Sequence, residues 1–144
     1  MAKTSDSIFV ELSPEDTFAA ASDLARFDEW LVLHDGWRRD VPTELGVGTE
    51  ASSVVKAKGT RVRFDWKIDT YDPPRRVRFS GNGKGGIKAK IDLTVKPKDG
   101  GSEVTFLIDL GGLPLMGPVG KAAAKAVHGD VQKSLVKFKA LFVA

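Results

Sequence analysis

The chain has 144 residues, of which 42% are hydrophobic and 28% charged, with a formal net charge of +3 and no cysteine. This length suits one domain, and the composition is typical of a soluble globular protein. The lack of cysteine excludes disulfides, thiolate metal ligands and thiol nucleophiles, and the modest charge falls short of a dedicated nucleic-acid binder. Residues 1–6 contain no apolar segment of a signal peptide, and no apolar run has the length of a membrane span. We therefore expect a cytoplasmic protein.

The N-terminal part of the sequence predicts one strand followed by two short helices. Apolar residues at positions 8, 10 and 12 alternate with their neighbours, as in a half-buried strand. Ser13 then provides a helix N-cap, Pro14 suits the first helical position, and acids follow in the first turn. Asp23 is the predicted cap of a second short helix, which ends near Trp30.

From Gly36 to Leu110 the apolar residues recur mainly at every second position, which predicts an antiparallel meander with one apolar face. The glycine-rich segment Gly81–Gly86 is predicted to be one of its turns. The predicted strands after the first are 37–41, 49–57, 60–71, 76–79, 87–96 and 104–110, which makes seven in all.

A long amphipathic helix is predicted from Pro118 to about Phe142. Gly129 lies in its interior, where glycine costs about 1 kcal/mol relative to alanine, so we expect a bend or a close approach to another element there. The apolar stripe consists of Ala123, Ala124, Val127, Val131, Leu135, Phe138, Leu141 and Phe142.

A sheet with one apolar face needs a cover, and the C-terminal helix carries the long apolar stripe that can provide it. Because one helix is only about 10–12 Å across, it cannot cover a twisted sheet of seven strands, and an apolar cavity is predicted beside it. The alternative is that large side chains fill this space as a packed core. The predicted cavity residues are Trp30, His34, Phe64, Trp66, Phe79, Ile91, Leu93, Phe106, Ile108, Met116, Val127, His128 and Val131.

This order of elements resembles the START-like, or SRPBCC, superfamily, whose helix-grip fold is shared by birch-pollen-allergen-like proteins and polyketide cyclases. The resemblance is carried by Ser13–Phe18, by Asp23-Leu24 with Trp30, and by Gly46–Thr49, and it spans nearly the whole chain. It implies a single α+β domain over residues 1–144, with a curved antiparallel sheet of about seven strands, two short N-terminal helices and one long C-terminal helix. It also implies a pocket for a hydrophobic ligand.

Two further segments, 81–88 and 111–120, are similar to those of small actinobacterial SRPBCC proteins, some of which are described as toxins of type II toxin–antitoxin pairs. This narrower resemblance implies a cognate antitoxin protein as a partner. It does not imply a particular chemistry.

Gly81, Gly83 and Gly86 match the spacing G-x-G-x-x-G of dinucleotide-binding loops. The residues that follow alternate as in a strand and do not open a helix, so a hairpin loop is the better interpretation. His34 and His128 are the two histidines of the chain, and they show no metal-ligand spacing. Each is a candidate general base, and the alternative for each is a partly exposed or backbone-bonded side chain.

The inward strand positions are almost all apolar, with Ser53 and Thr70 as the main polar exceptions. We therefore expect no catalytic set, no metal and no cofactor. The outward face carries basic residues interspersed with acids, which favours a solvated surface over an RNA-binding or antitoxin-binding one. These basic residues are Arg61, Arg63, Lys67, Arg76, Arg78, Lys88, Lys90 and Lys96.

The leading hypothesis from the sequence is noncatalytic binding of a lipid-like or polyketide-like molecule in the apolar cavity. One alternative is a toxin of a type II toxin–antitoxin pair. Another is a polyketide cyclase- or aromatase-like enzyme that uses His34 or His128 as its base.

Overall fold

The structure is a computed structural model that describes residues 2–38, 41, 44–57, 60–112 and 118–141. In these residues three α-helices and a 3₁₀ turn, Leu24–Arg26, accompany seven strands. The helices are α1 (Pro14–Ala21), α2 (Phe27–Trp30) and α3 (Pro118–Ala140), and the strands are β1 (Ala2–Val10), β2 (His34–Trp37), β3 (Glu50–Ala57), β4 (Thr60–Asp72), β5 (Arg76–Gly83), β6 (Lys88–Lys98) and β7 (Gly101–Gly111).

The seven strands form one antiparallel sheet in the order β1-β7-β6-β5-β4-β3-β2. β2 to β7 follow one another as a meander, and β1 pairs along its whole length with β7. The sheet curls into a half-barrel, with the helices on its concave face. The predicted α+β helix-grip fold is therefore confirmed.

Local sequence signals start the N-terminal helices as predicted. The Ser13 side chain accepts a hydrogen bond from the backbone N–H of Asp16 at 3.2 Å, and Pro14 occupies the first helical position of α1. Asp23 accepts in the same way from the N–H of Ala25, also at 3.2 Å, and caps the 3₁₀ turn that leads into α2. These caps satisfy N–H groups that have no partner inside the helix.

The long helix α3 packs against the sheet unequally along its length. In its C-terminal half Val131, Leu135 and Phe138 are at most 2% exposed and belong to the core. Phe138 lies edge-on against Trp30 of α2, with ring centroids 5.1 Å apart. The N-terminal half presents mainly alanines to the sheet, so this half is held over the sheet without filling the space beneath it.

Strand β2 differs from its prediction, because it runs over His34–Trp37 and not from Trp37 to Val41. Gly36 adopts a φ of +119°, and the register with β3 shifts between His34 and Trp37. Such a bulge breaks the period-two alternation on which the sequence prediction depended. Residues 39–40 lie outside the described part of the chain, as does Phe142, the predicted end of α3.

The glycine-rich segment also differs from its prediction, because its first three residues continue β5. Gly81 pairs with Trp66 and Gly83 with Phe64 across β4 and β5. A Cβ on Gly81 would lie 2.5 Å from the Trp66 ring, and one on Gly83 would lie 2.9 Å from the Phe64 ring. These glycines are thus strand positions that make room for two large rings. The chain continues into β6, so the G-x-G-x-x-G match opens no helix for a dinucleotide.

Of the two alternatives expected at Gly129, the close approach to another element is wrong, and the bend stays a prediction. α3 runs through this position, and a Cβ added to Gly129 would meet no atom within 4 Å. Packing therefore does not require glycine there.

We predict that Gly81→Ala destabilises the protein by about 1–3 kcal/mol, the usual cost of overpacking, because the added methyl group displaces the buried Trp66 ring. Denaturant unfolding followed by circular dichroism measures this loss. Gly46→Ala is the matched control, since a Cβ at Gly46 meets nothing within 4 Å. Equal stabilities of the two variants would contradict the assigned role of Gly81.

Candidate functional site

A cavity of about 410 Å³ lies between the concave face of the sheet, α2 and the first turns of α3. This volume is within the range of about 300–1,000 Å³ that is usual for small-molecule sites. Its described lining consists of Phe27, Trp30, Leu31, Leu33, His34, Trp37, Ala51, Ser53, Val55, Val62, Phe64, Trp66, Phe79, Ile87, Ala89, Ile91, Leu93, Phe106, Ile108, Leu110, Ala122, Ala123, Ala126 and Val127.

Small side chains on both walls keep this space open. The sheet contributes Ala51 from β3 and Ala89 from β6, and α3 contributes Ala123 and Ala126. A methyl group projects too little to meet the opposite wall, whereas the larger side chains further along α3 reach the core. The space beside α3 is therefore a cavity and not a packed core, which was the alternative.

Tryptophan hydrogen bonds fix the orientation of two aromatic rings in the wall. The indole N–H of Trp66 donates to Ser53 Oγ at 2.8 Å, and the indole N–H of Trp37 donates to the carbonyl oxygen of Leu24 at 2.8 Å. Phe64 stacks on Trp66 with ring centroids 4.9 Å apart and an interplanar angle of 19°. These contacts hold Trp37 and Trp66 in defined orientations and pack Phe64 against Trp66 in the wall.

Of the thirteen residues predicted to line the cavity, the structure brings ten together there. Met116 lies outside the described residues. Val131 is fully buried in the core, and His128 is directed to β1, where its Nδ1 is 2.6 Å from Thr4 Oγ1. The ten are Trp30, His34, Phe64, Trp66, Phe79, Ile91, Leu93, Phe106, Ile108 and Val127.

Fourteen lining residues were not predicted, although the sequence pattern indicates some of them. Ala89 and Leu110 share the inward phase of the predicted strand residues beside them, and Ala123 precedes Val127 by one helical turn. The alanines and Ser53 were left out because small residues contribute little to an apolar pattern. Phe27, Leu31, Leu33 and Trp37 were left out because they lie in α2 and in the segment to β2, whose bounds were predicted wrongly. The missed residues are Phe27, Leu31, Leu33, Trp37, Ala51, Ser53, Val55, Val62, Ile87, Ala89, Leu110, Ala122, Ala123 and Ala126.

His34 brings a titratable group to the cavity wall. Its ring lies edge-on to Phe27, with centroids 6.0 Å apart, and 4.7 Å from the Trp37 ring. Burial lowers the pKa of His34, and the nearby carboxylates of Asp28 and Asp35 oppose this effect only in part. The imidazole is thus neutral at neutral pH, with one nitrogen as donor and the other as acceptor.

Charged side chains are absent from the described lining of the cavity. The acids of the outward face do not line the cavity. Among them Asp109 is buried, at 7% exposed, and its Oδ1 has no hydrogen-bond partner. Within the described residues no three His, Cys, Asp or Glu side chains cluster as metal ligands would. In that same part of the chain, no helix combines the length and apolarity needed to cross a membrane.

The outward basic residues are partly engaged with acids of the same surface. Arg61 pairs with Asp35 at 2.9 Å, and Arg76 forms a two-pronged pair with Asp92. Arg78 lies 3.9 Å from Asp69. These pairs are those of a mixed, solvated sheet surface.

Residues 1–143 match the family described as polyketide cyclase/dehydrase and lipid transport. The chain belongs to this family. Two relatives in Mycobacterium tuberculosis are aligned over 142 residues, which cover 99% of each chain: Toxin Rv0910, which is 44% identical, and Rv1546, which is 46% identical and is named an uncharacterized protein. The family resemblance and the similarity to toxin-named proteins found in the sequence are thus confirmed.

Solved structures that have little sequence identity to this chain share its fold. Protein Ms6760 from Mycobacterium smegmatis superposes with a TM-score of 0.73 at 13% identity, over 99% of this chain and 91% of its own. Protein CV1439 from Chromobacterium violaceum has a TM-score of 0.70 at 16% identity, over 96% and 95% of the two chains. At this level of identity the likeness concerns the fold alone.

We predict that acid destabilises the protein partly through His34. Because its pKa is lowered in the folded state, the unfolded chain takes up a proton at a higher pH than the folded chain does. Stability is therefore greatest above the usual histidine pKa and falls as the pH drops from about 7.5 to about 5.

Denaturant unfolding of the wild type and of His34→Gln at these two pH values isolates this contribution, since His128 is present in both proteins. The variant is expected to lose less stability than the wild type. An equal loss in both would show that His34 does not titrate in this way.

Proposed function

We propose that this protein binds a hydrophobic, lipid-like or polyketide-like small molecule in the cavity between the sheet and α3, without chemical conversion. The observation that carries the proposal is the cavity of about 410 Å³ with aromatic and aliphatic walls. Its apolar lining makes transfer of an apolar ligand from water favourable, at roughly 25 cal/mol per Å² of apolar surface buried. The family's description, which includes lipid transport, supports the same reading.

Noncatalytic binding is favoured over catalysis by the isolation of His34. A general base works with a nucleophile or acid held within hydrogen-bond reach of a common point. Apart from His34 and the tryptophan indoles, the polar side chain of the described lining is Ser53. Its oxygen already accepts a hydrogen bond from the indole N–H of Trp66. His128, the second candidate base, bonds Thr4 away from the cavity.

Titration with the neutral dye N-phenyl-1-naphthylamine tests the proposal, because its fluorescence rises in an apolar site. We predict that the wild type binds the dye and that Ala126→Phe weakens binding at least about tenfold, since the new ring occupies the space beside α3.

Gln132→Phe is the matched control on the same helix, because Gln132 is exposed and does not line the cavity. It should bind the dye as the wild type does, and circular dichroism should show that both variants are folded. Lack of dye binding by the wild type, together with no stabilisation by a panel of lipids and polyketides, would contradict the proposal.

A second candidate function is that of a toxin held inactive by an antitoxin protein. It is favoured by the 44% identity to Toxin Rv0910 over nearly the whole of both chains. The two functions do not exclude each other.

Induced expression in a mycobacterial host tests the toxin candidate. We predict slower growth than with an empty vector, and restored growth when the cognate antitoxin, sought among the reading frames next to the gene, is co-expressed. Normal growth at the same intracellular level of folded protein would contradict this candidate and leave the ligand proposal in place.

A further inference from the structure

The distribution of polar groups around the cavity restricts the charge of a ligand. None of the described lining residues is lysine, arginine, aspartate or glutamate. The indole N–H groups of Trp37 and Trp66 are already bonded within the protein. The indole N–H of Trp30 has no hydrogen-bond partner, but it is fully buried, so it offers no accessible donor to a ligand in the cavity. The remaining polar side chains of this lining are His34 and Ser53.

These two side chains lie at the same end of the cavity. In the β2–β3 ladder His34 pairs with Val55 and Trp37 pairs with Ser53. His34 on the edge strand β2 and Ser53 on its neighbour β3 therefore lie on the side of the sheet remote from β1. No described group hydrogen-bonds the ring nitrogens of His34. Ser53 Oγ accepts the Trp66 N–H, which leaves the serine O–H to donate to a ligand.

The chemistry of this end suits an uncharged polar group. Burial lowers the pKa of His34, so its ring offers one donor and one acceptor but no positive charge. A carboxylate placed here would lose its hydration without gaining a cation, which costs far more than the burial of a hydroxyl that is hydrogen-bonded.

The rest of the cavity suits a ring system. Of the twelve aromatic residues of the chain, seven line the cavity, including all three tryptophans. The stacked pair Phe64 and Trp66 belongs to this lining and provides aromatic surface against which a ring compound can pack.

We propose that the cavity selects uncharged ring compounds that carry one hydroxyl or carbonyl group, holds that group at His34 and Ser53, and excludes the corresponding carboxylates. This inference rests on the proposed function and adds the class of ligand and its orientation. The ring body lies against β4 and the alanines of α3, and the polar group lies at the β2–β3 end.

Three probes with the same ring body test the inference: pyrene, 1-pyrenemethanol and 1-pyrenecarboxylate. Each quenches tryptophan fluorescence when bound nearby, and the tryptophans of this chain all line the cavity. We predict that the alcohol binds the wild type at least about tenfold more tightly than the carboxylate, and more tightly than pyrene itself.

His34→Phe keeps an aromatic ring and removes the hydrogen-bonding nitrogens, so it should abolish the advantage of the alcohol over pyrene. His128→Phe, at the histidine outside the cavity, should retain that advantage. A carboxylate that binds as tightly as the alcohol would overturn the inference and leave the proposed function standing. If none of the three probes binds although N-phenyl-1-naphthylamine does, the inference fails and the proposed function stands; if the dye and the ligand panel fail as well, both fail.

Discussion

The unequal packing of α3 on the sheet is the constraint on which the rest of the structure depends. A curled sheet of seven strands has more concave surface than one helix can cover. The large side chains in the C-terminal half of α3 pack into a closed core around Trp30, whereas the N-terminal half carries alanines. The helix is thereby fixed at one end and spans an open space at the other. The position and the size of the cavity follow from that arrangement.

The open end needs walls that do not collapse into it, and the aromatic residues of β4 provide them. Trp66 is held from two sides, by its hydrogen bond to Ser53 and by the glycine that faces it across β5. Phe64 stacks on the same ring, opposite the second glycine. Rings that are held by these contacts line the cavity without filling it. The same packing that stabilises the sheet therefore preforms the site.

Much of the fold followed from the sequence, because period-two alternation and helix capping are local signals. The strands on either side of the turn at residues 99–100, and the caps at Ser13 and Asp23, are examples. The start of β2 did not follow, since the bulge at Gly36 breaks the alternation. The strand character of Gly81 and Gly83 did not follow either, because it depends on two rings from a neighbouring strand. The aromatic lining residues of β4, β5 and β7 were predicted from their inward phase. Phe27 and Trp37 were missed, because they lie in α2 and β2, outside the regular alternation. Ser53 and the alanines were left out of the predicted lining, because small residues contribute little to an apolar pattern.

A crystal structure of the protein with 1-pyrenemethanol bound would show whether the cavity is open and how it orients a ligand. We expect electron density for the ring system between β4 and the first turns of α3, with the hydroxyl at His34 and Ser53. Density only on the outer surface, or a cavity closed by inward movement of α3 onto the sheet, would contradict this expectation.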